Sequence, residues 1–231
     1  MRFARRARPR HIGGAAPLLW RSRAGVASVL AMRAIGRFQL LTRWASGHLG
    51  ELFWAREAEG GGPWAVQIVR PELARDLRVS RLLLTEASAA DRLVHPAAAP
   101  VVDAGREGDD VYVAAPLVTG QPLSALLKRA RLERDPLPQA WVCSIGAQVA
   151  EGLAAAHALP WFPGAPAPLV HGSLSPRSIF VTWDGQVRVT GFGVGRARWS
   201  VDPSPARLAY VAPERFADRD PTPRTDAWSL G

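Results

Sequence analysis

From Phe38 onward, apolar and polar residues alternate in short runs separated by glycines, the pattern of antiparallel hairpins. Phe38-Gln39-Leu40-Leu41, Glu51-Leu52-Phe53-Trp54-Ala55 and Trp64-Ala65-Val66-Gln67-Ile68-Val69 read as strands, punctuated by Gly47, Gly50 and Gly60-Gly61-Gly62. Leu82, Leu83, Glu86, Ala89, Ala90 and Leu93 recur on related turns, which predicts a helix over 82–93. Short strands follow at 100–103 and 111–115. Beyond Gly120 the period becomes helical, first over 122–130 and then over a long Ala-, Val- and Leu-rich stretch at 138–159. Residues 160–168 form a Pro/Gly-rich loop. A hairpin then pairs 178–181 with 186–190 across Trp183-Asp184-Gly185. A strand-rich front (35–119) and a helix-rich back (120–231) predict an α+β chain of two lobes that meet near Gly120.

Composition narrows the class. The 231 residues are 48% hydrophobic and 21% charged, and 21 Gly with 20 Pro fall short of the low-complexity range. Disorder throughout, a collagen-like chain and a disulfide scaffold are excluded. The net charge of +9 is unevenly placed: residues 1–37 carry nine arginines and no acid, and the remaining 20 basic residues face 20 acidic ones. The body is therefore neutral and has no nucleic-acid signature, and the charge belongs to a basic arm, residues 1–34, expected to be disordered.

Arg5-Arg6 ahead of an apolar stretch suits a secretory signal, and the arginine cluster suits an anionic surface. However, Arg21, Arg23 and Arg33 interrupt the apolar runs. Met32 offers an alternative start that would remove most of the arm. Cys143 is the single cysteine. Its setting, Val142-Cys143-Ser144-Ile145, predicts a small buried hydrophobe, and a lone thiol fits a reducing, cytoplasmic setting. No run approaches the length of a membrane-spanning helix.

Several motifs fall in one order along this frame. Ala45-Ser46-Gly47-His48-Leu49-Gly50 has the outline of a glycine-rich loop, G-x-G-x-x-G. Ala65-Val66-Gln67 stands where V-A-x-K ends a third strand, and Glu86 lies on the helix that follows. His171-Gly172-Ser173-Leu174-Ser175-Pro176-Arg177-Ser178 has the spacing of H-R-D-L-x-x-x-N. Gly191-Phe192-Gly193 stands for D-F-G, Ala212-Pro213-Glu214 is an intact A-P-E, and Asp226-Ala227-Trp228-Ser229-Leu230-Gly231 closes the series. Six motifs in this order resemble the protein kinase superfamily, with the flavour of bacterial Ser/Thr kinases, over residues 35–231. The resemblance implies a two-lobe kinase-like fold with an antiparallel-sheet N-lobe (35–119) and a mainly helical C-lobe (120–231).

The departures fall on the chemistry. Phosphoryl transfer needs a cation on the phosphates, metal ions on their oxygens and a carboxylate to take the hydroxyl proton. In the resemblance, the lysine position holds Gln67, the base position holds Ser173, and the metal ligands are replaced by Ser178 and Gly191. Gln67 is expected to bond Glu86 or a phosphate without supplying charge. Lys128, the only lysine, lies far from the strand that would need it. Arg70, three residues past Gln67, is expected on the opposite strand face, and Asp184 in a turn remote from the phosphates.

What the resemblance preserves is architecture. His171 and Phe192 would stack in a spine with the family's C helix, and Asp226 would anchor the backbone of the loop at 171–178. Leu52, Ala65 and Phe180 match positions that sandwich adenine, with Phe180 bulky enough to fill part of that site. Gly47 and Gly50 permit close approach to a phosphate, whereas Ala45 replaces the first glycine. Together with Gln67 these form a degenerate nucleotide site: no cofactor is required, no metal is held, and weak ATP binding would proceed without magnesium. Ser200 and Ser204 fall in a segment (196–207) read as a surface loop.

The family's F helix is central to the C-lobe, and this sequence ends one turn into it. It therefore predicts an incomplete C-lobe, apolar surface exposed around 138–159, marginal stability, and a Glu214 lacking its usual arginine partner. Three functions follow as expectations. The first is a catalytically inactive kinase-like domain binding an unidentified protein partner. The second is an atypical Ser/Thr kinase that transfers phosphate from ATP to protein. The third is a non-functional gene fragment. Neither oligomeric state nor pathway is written in the residues.

Overall fold

A computed structural model describes residues 33–231, apart from 58, 163, 166, 202–207 and 218 and the side chains of 199–201. The N-terminal arm lies outside the described residues. Among the described residues, nine strands and seven helices follow in order. The first six strands, β1 (Ala34–Ile35), β2 (Phe38–Ser46), β3 (Gly50–Glu57), β4 (Trp64–Val69), β5 (Asp103–Glu107) and β6 (Asp110–Pro116), form one antiparallel sheet in the order β1-β2-β3-β4-β6-β5. A smaller antiparallel sheet joins β7 (Gly120–Pro122), β8 (Ile179–Thr182) and β9 (Val187–Val189).

Period-2 alternation on β4 sets both faces of the large sheet. Val66 and Ile68 are buried with Phe38, Phe53 and Tyr112, while Ala65 and Gln67 turn to the other side. Each buried Val, Ile or Phe of this layer stabilises the fold by about 1.5–3 kcal/mol. Between β4 and β5 run α1 (Pro71–Arg75) and α2 (Leu77–Ala90). The second begins five residues earlier than the 82–93 pattern predicts, because Asp76 caps it: its carboxylate accepts the amides of Arg78 (2.8 Å) and Val79 (3.3 Å). The strand expected at 100–103 sits at 103–107 instead. Pro100 has no amide to give a ladder, and Gly108, at φ 57°, turns β5 into β6.

The helical half consists of α3 (Leu123–Glu133), α4 (Gln139–His157), α5 (Gly195–Val201), α6 (Pro213–Phe216) and α7 (Pro223–Leu230). One continuous core joins it to α2: Leu83, Ala87 and Ala90 pack with Val149, Leu153, Ile179, Val189 and Phe192. Backbone bonds reinforce that joint, with the Val189 amide donating to Ala97 O (2.7 Å) and the Ala99 amide to Val189 O (2.8 Å).

Two sequence expectations change here, and a third gains a detail. Cys143 is exposed, not buried. The inward stripe of α4 runs through Val149, Gly152, Leu153 and Ala156, and Cys143 lies off that stripe, as do the exposed Trp141 and Val142. The expected surface loop from 196 begins instead as α5, in which Ala197 is fully buried. Ser204 and the Ser200 side chain lie outside the described residues. Glu214 has a partner of a different kind: the Thr225 hydroxyl donates to its carboxylate at 2.6 Å, and this bond holds its pKa below the ordinary range.

The fully buried Asp226 ties α7 to the rest of the helical half. Its carboxylate accepts the amides of His171 and Gly172, each at 2.8 Å, and the Nε2 of His157 on α4 lies 2.9 Å away. Hydrogen bonds to a charged group contribute more than neutral ones, and removing the acceptor strands two buried amides. Asp226→Ala is expected to destabilise the protein by about 3–5 kcal/mol, read as a lowered midpoint in urea unfolding. Loss below about 1 kcal/mol would show that the loop at 171–172 holds itself.

Candidate functional site

A cavity of about 360 Å³ opens between the large sheet and the helical half. Ala45 and Leu52 from β2 and β3, and Ala65 and Gln67 from β4, line it on the sheet side. Ala115 and the connecting residues Pro116, Leu117 and Val118 line it where the chain crosses to the other half, and Phe180 of β8 lines the helical side. Its remaining wall includes Arg177, Ser178, Thr190, Gly191, Phe192 and Arg198. Ala45, Leu52, Ala65, Gln67, Phe180, Ser178 and Gly191, singled out in the sequence, thus share one cavity. Phe180 lines this space and leaves it within the volume range of small-molecule pockets.

The other singled-out residues lie elsewhere. Gly50 serves the sheet: a Cβ there would stand 1.9 Å from the carbonyl oxygen of Ile68, in the adjacent strand. Gly47 faces open space, with nothing within 4 Å of such an atom. Ser173 donates its amide to His171 Nδ1 (3.2 Å), and its hydroxyl is buried without a hydrogen-bond partner, next to Tyr210 and Thr225 rather than in the cavity. Ser178 is occupied in the backbone: its Oγ donates to Ser175 O (2.9 Å) and accepts the Ser175 amide (3.2 Å).

His171 and Phe192 meet edge to face at 4.9 Å, both essentially inaccessible. Because Nδ1 of His171 accepts the Ser173 amide, Nε2 carries the proton and donates to Thr190 O at 3.0 Å. The histidine is thereby committed to holding the loop and the residues before Gly191 together.

Glu86 departs most from expectation. Gln67 does not reach it; its amide donates to the carbonyls of Glu51 (3.2 Å) and Ile68 (3.4 Å). The Glu86 carboxylate instead turns to α5, where it accepts the Arg196 amide (3.1 Å) and lies 3.5 Å from Arg196 Nε. The Arg196 guanidinium also stacks over Trp161 at 4.5 Å and pairs with Asp220 at 2.9 Å. Burial raises the Glu86 pKa to about 7, against the opposing pull of Arg196. Arg70 does not line the cavity. The strand ends at Val69, so alternation no longer governs the next residue, and Arg70 Nε donates to Gly47 O at 3.1 Å. Lys128 sits on α3 beside Arg131 and Pro176, away from the cavity.

Sequence reasoning missed Arg196 and Arg198. The signal was present, since residues 185–201 hold three arginines and no acid. Among the described residues, Arg177 and Arg198 are the only charged side chains in the cavity wall.

A family model described as the protein kinase domain matches residues 38–231. The chain belongs to that family. It is 31% identical over 209 residues to the serine/threonine-protein kinase PknA of Mycobacterium tuberculosis, covering 85% of this chain and 45% of the relative. It is 34% identical over 202 residues to the probable serine/threonine-protein kinase PkwA of Thermomonospora curvata, covering 85% of this chain and 25% of the relative. The chain thus spans less than half the length of these curated relatives. The crystal structure of the Mycobacterium tuberculosis PknI kinase domain superposes with a TM-score of 0.68 at 23% identity, over 88% of this chain and 72% of that one. That likeness establishes the kinase fold, and the two lobes expected from the sequence are its sheet and helical halves. No described helix is long and apolar enough to cross a membrane.

Two outcomes follow for this kinase-like domain. Gly50→Ala drives a Cβ into a neighbouring backbone and is expected to cost more than 2 kcal/mol, as large substitution effects with a named steric cause do. Gly47→Ala should stay within about 0.5 kcal/mol. Equal urea midpoints for the two variants would contradict this. For Glu86 the folded pKa lies above the ordinary 4.5. Its favourable contribution is therefore complete below pH 4.5, declines as pH rises through about 7, and is level beyond. The stability difference between wild type and Glu86→Gln should shift against wild type by up to about 3 kcal/mol between pH 5 and pH 8; a pH-independent difference would refute it.

Proposed function

We propose that this member of the kinase family is catalytically inactive and works by binding: a pseudokinase that takes a nucleotide weakly in its cleft and presents its surface to a protein partner. The observation carrying this reading is the cavity wall, whose only charged side chains among the described residues are two arginines. Transfer needs a carboxylate to accept the hydroxyl proton and acids to hold magnesium. Ser173 offers a hydroxyl that cannot accept a proton near neutral pH, and it lies outside the cavity. The residues present do not fit magnesium: Gly191 has no ligand atom, and the Ser178 hydroxyl is committed to Ser175. The apolar surfaces of Leu52, Ala65 and Phe180 do suit a purine ring.

A second reading, an atypical Ser/Thr kinase, is favoured by the kinase names of the relatives. One pair of measurements separates the two. The full chain is melted with and without ATP, in magnesium and in EDTA, and incubated with labelled ATP and a generic protein substrate. The pseudokinase reading expects an upward shift that persists in EDTA, about 2.7 kcal/mol at one hundred times the dissociation constant, and no transferred label. Magnesium-dependent transfer that disappears in Gln67→Ala would establish the atypical kinase instead.

A further inference from the structure

Helix α3 (Leu123–Glu133) carries four leucines, yet none of its residues is buried. Leu127 is 38% exposed and Leu132 74%. Ser124, Leu127, Lys128, Arg131 and Leu132 stand three or four residues apart and so share one face of the helix. That face lines a hollow of about 260 Å³, together with Pro176, Arg177 and Tyr210. The Ser124 amide donates to Pro176 O at 2.9 Å, which fastens the start of the helix to the loop. Apolar and cationic side chains are thus interleaved along a groove that is already formed.

We infer that this groove docks an acidic segment of a protein partner that carries one apolar anchor. The anchor seats against Leu127, Leu132 and Tyr210, and its flanking carboxylates meet Lys128, Arg131 and Arg177. The inference rests on the partner-binding reading above and names the chemistry of that partner. Charge complementarity carries it. Among the described residues, Lys128, Arg131 and Arg177 have no ion-pair partner, and no acid lines the hollow. The single acid of α3, Glu133, is taken by Arg129 at 2.9 Å. Three like charges around one hollow repel one another, and an anion from outside relieves that repulsion. The same sign rejects the basic arm of this chain, since residues 1–37 carry nine arginines and no acid. The anchor follows from the leucines. A purely charged ligand would leave Leu127 and Leu132 facing water, whereas an apolar side chain seated on them removes surface from water on both partners. Each exposed charge contributes little alone, but three around one anchor fix orientation and reject the wrong partner. Arg177 lines both this groove and the nucleotide cavity, so a docked segment reaches the edge of the cleft.

The test selects a display library of short random peptides on the full chain. Recovered sequences should be rich in Asp and Glu around a Leu, Ile, Phe or Trp, and poor in Lys and Arg. The most enriched peptide, labelled and titrated, should bind the double variant Lys128→Glu/Arg131→Glu roughly 10-fold or more weakly, because reversal turns each attraction into a repulsion. Replacing its apolar anchor with Ser should weaken it by a similar factor. Both substituted side chains are exposed. Should the double variant still fail to fold, salt gives the same readout on wild type: raising KCl from about 50 to about 500 mM should weaken the peptide. Recovery of no peptide, or equal binding of the Ser-substituted peptide, would overturn the assignment. So would a single-stranded oligonucleotide that binds more tightly than the peptide, or a dimer of this chain that the double variant dissolves. Neutral or basic peptides whose binding the double variant leaves unmoved would overturn it too, while the partner-binding reading stood. Conversely, an acidic peptide that docks as expected and accepts label from magnesium ATP would keep the groove and remove the pseudokinase reading.

Discussion

Glu86 brings a carboxylate into the interior where the strand beside it offers an amide instead of a lysine. A buried carboxylate must be paired, hydrogen-bonded or protonated. The molecule uses all three resources: the Arg196 guanidinium, the amides at the start of α5, and a pKa raised to about 7 by burial. This contact fixes α5 against α2, and α5 in turn places Arg198 in the cavity wall and Arg196 over Trp161. The position of the segment after Gly193 is thus a consequence of one unanswered charge on α2. Gly193 enforces the closeness, since a Cβ there would meet Ala90 at 2.8 Å.

The scaffold holds without charged groups at Gln67, Ser173, Ser178 and Gly191, because packing and reactive chemistry depend on different physics. The interior is held by apolar packing and by hydrogen bonds that need no charge in the cleft. His171 and Phe192 stack, Asp226 gathers the amides of the 171–172 loop, and Ser178 closes its own turn. A neutral Gln67 is easier to keep half-buried than a lysine without a partner, and its amide finds two carbonyls within its own sheet. Folding therefore does not depend on charged groups at the positions of Gln67, Ser173, Ser178 and Gly191.

Most of the fold was legible in the sequence, because alternation on β3 and β4 and the helical stripe of α4 are local signals. The order of motifs then placed Leu52, Ala65, Gln67 and Phe180 around one cavity. Misreadings arose where a residue's place depends on something outside its own period. Cys143 lies off the inward stripe, and α5 is stabilised by a carboxylate more than a hundred positions earlier. Gly50 has a structural role that its motif does not announce. A glycine in a loop motif suggests ligand approach, but the backbone it must admit belongs to β4.

The charge of the cleft cannot be inherited from the chain as a whole, because residues 38–231 balance 20 basic against 20 acidic residues. Among the described residues, the charged side chains of the cavity wall are two arginines, a local feature. An acid-lined site attracts a divalent cation and, through it, the phosphates. Magnesium bridges phosphate oxygens and draws charge from the bond that breaks, while a guanidinium has no lone pair to offer such a cation.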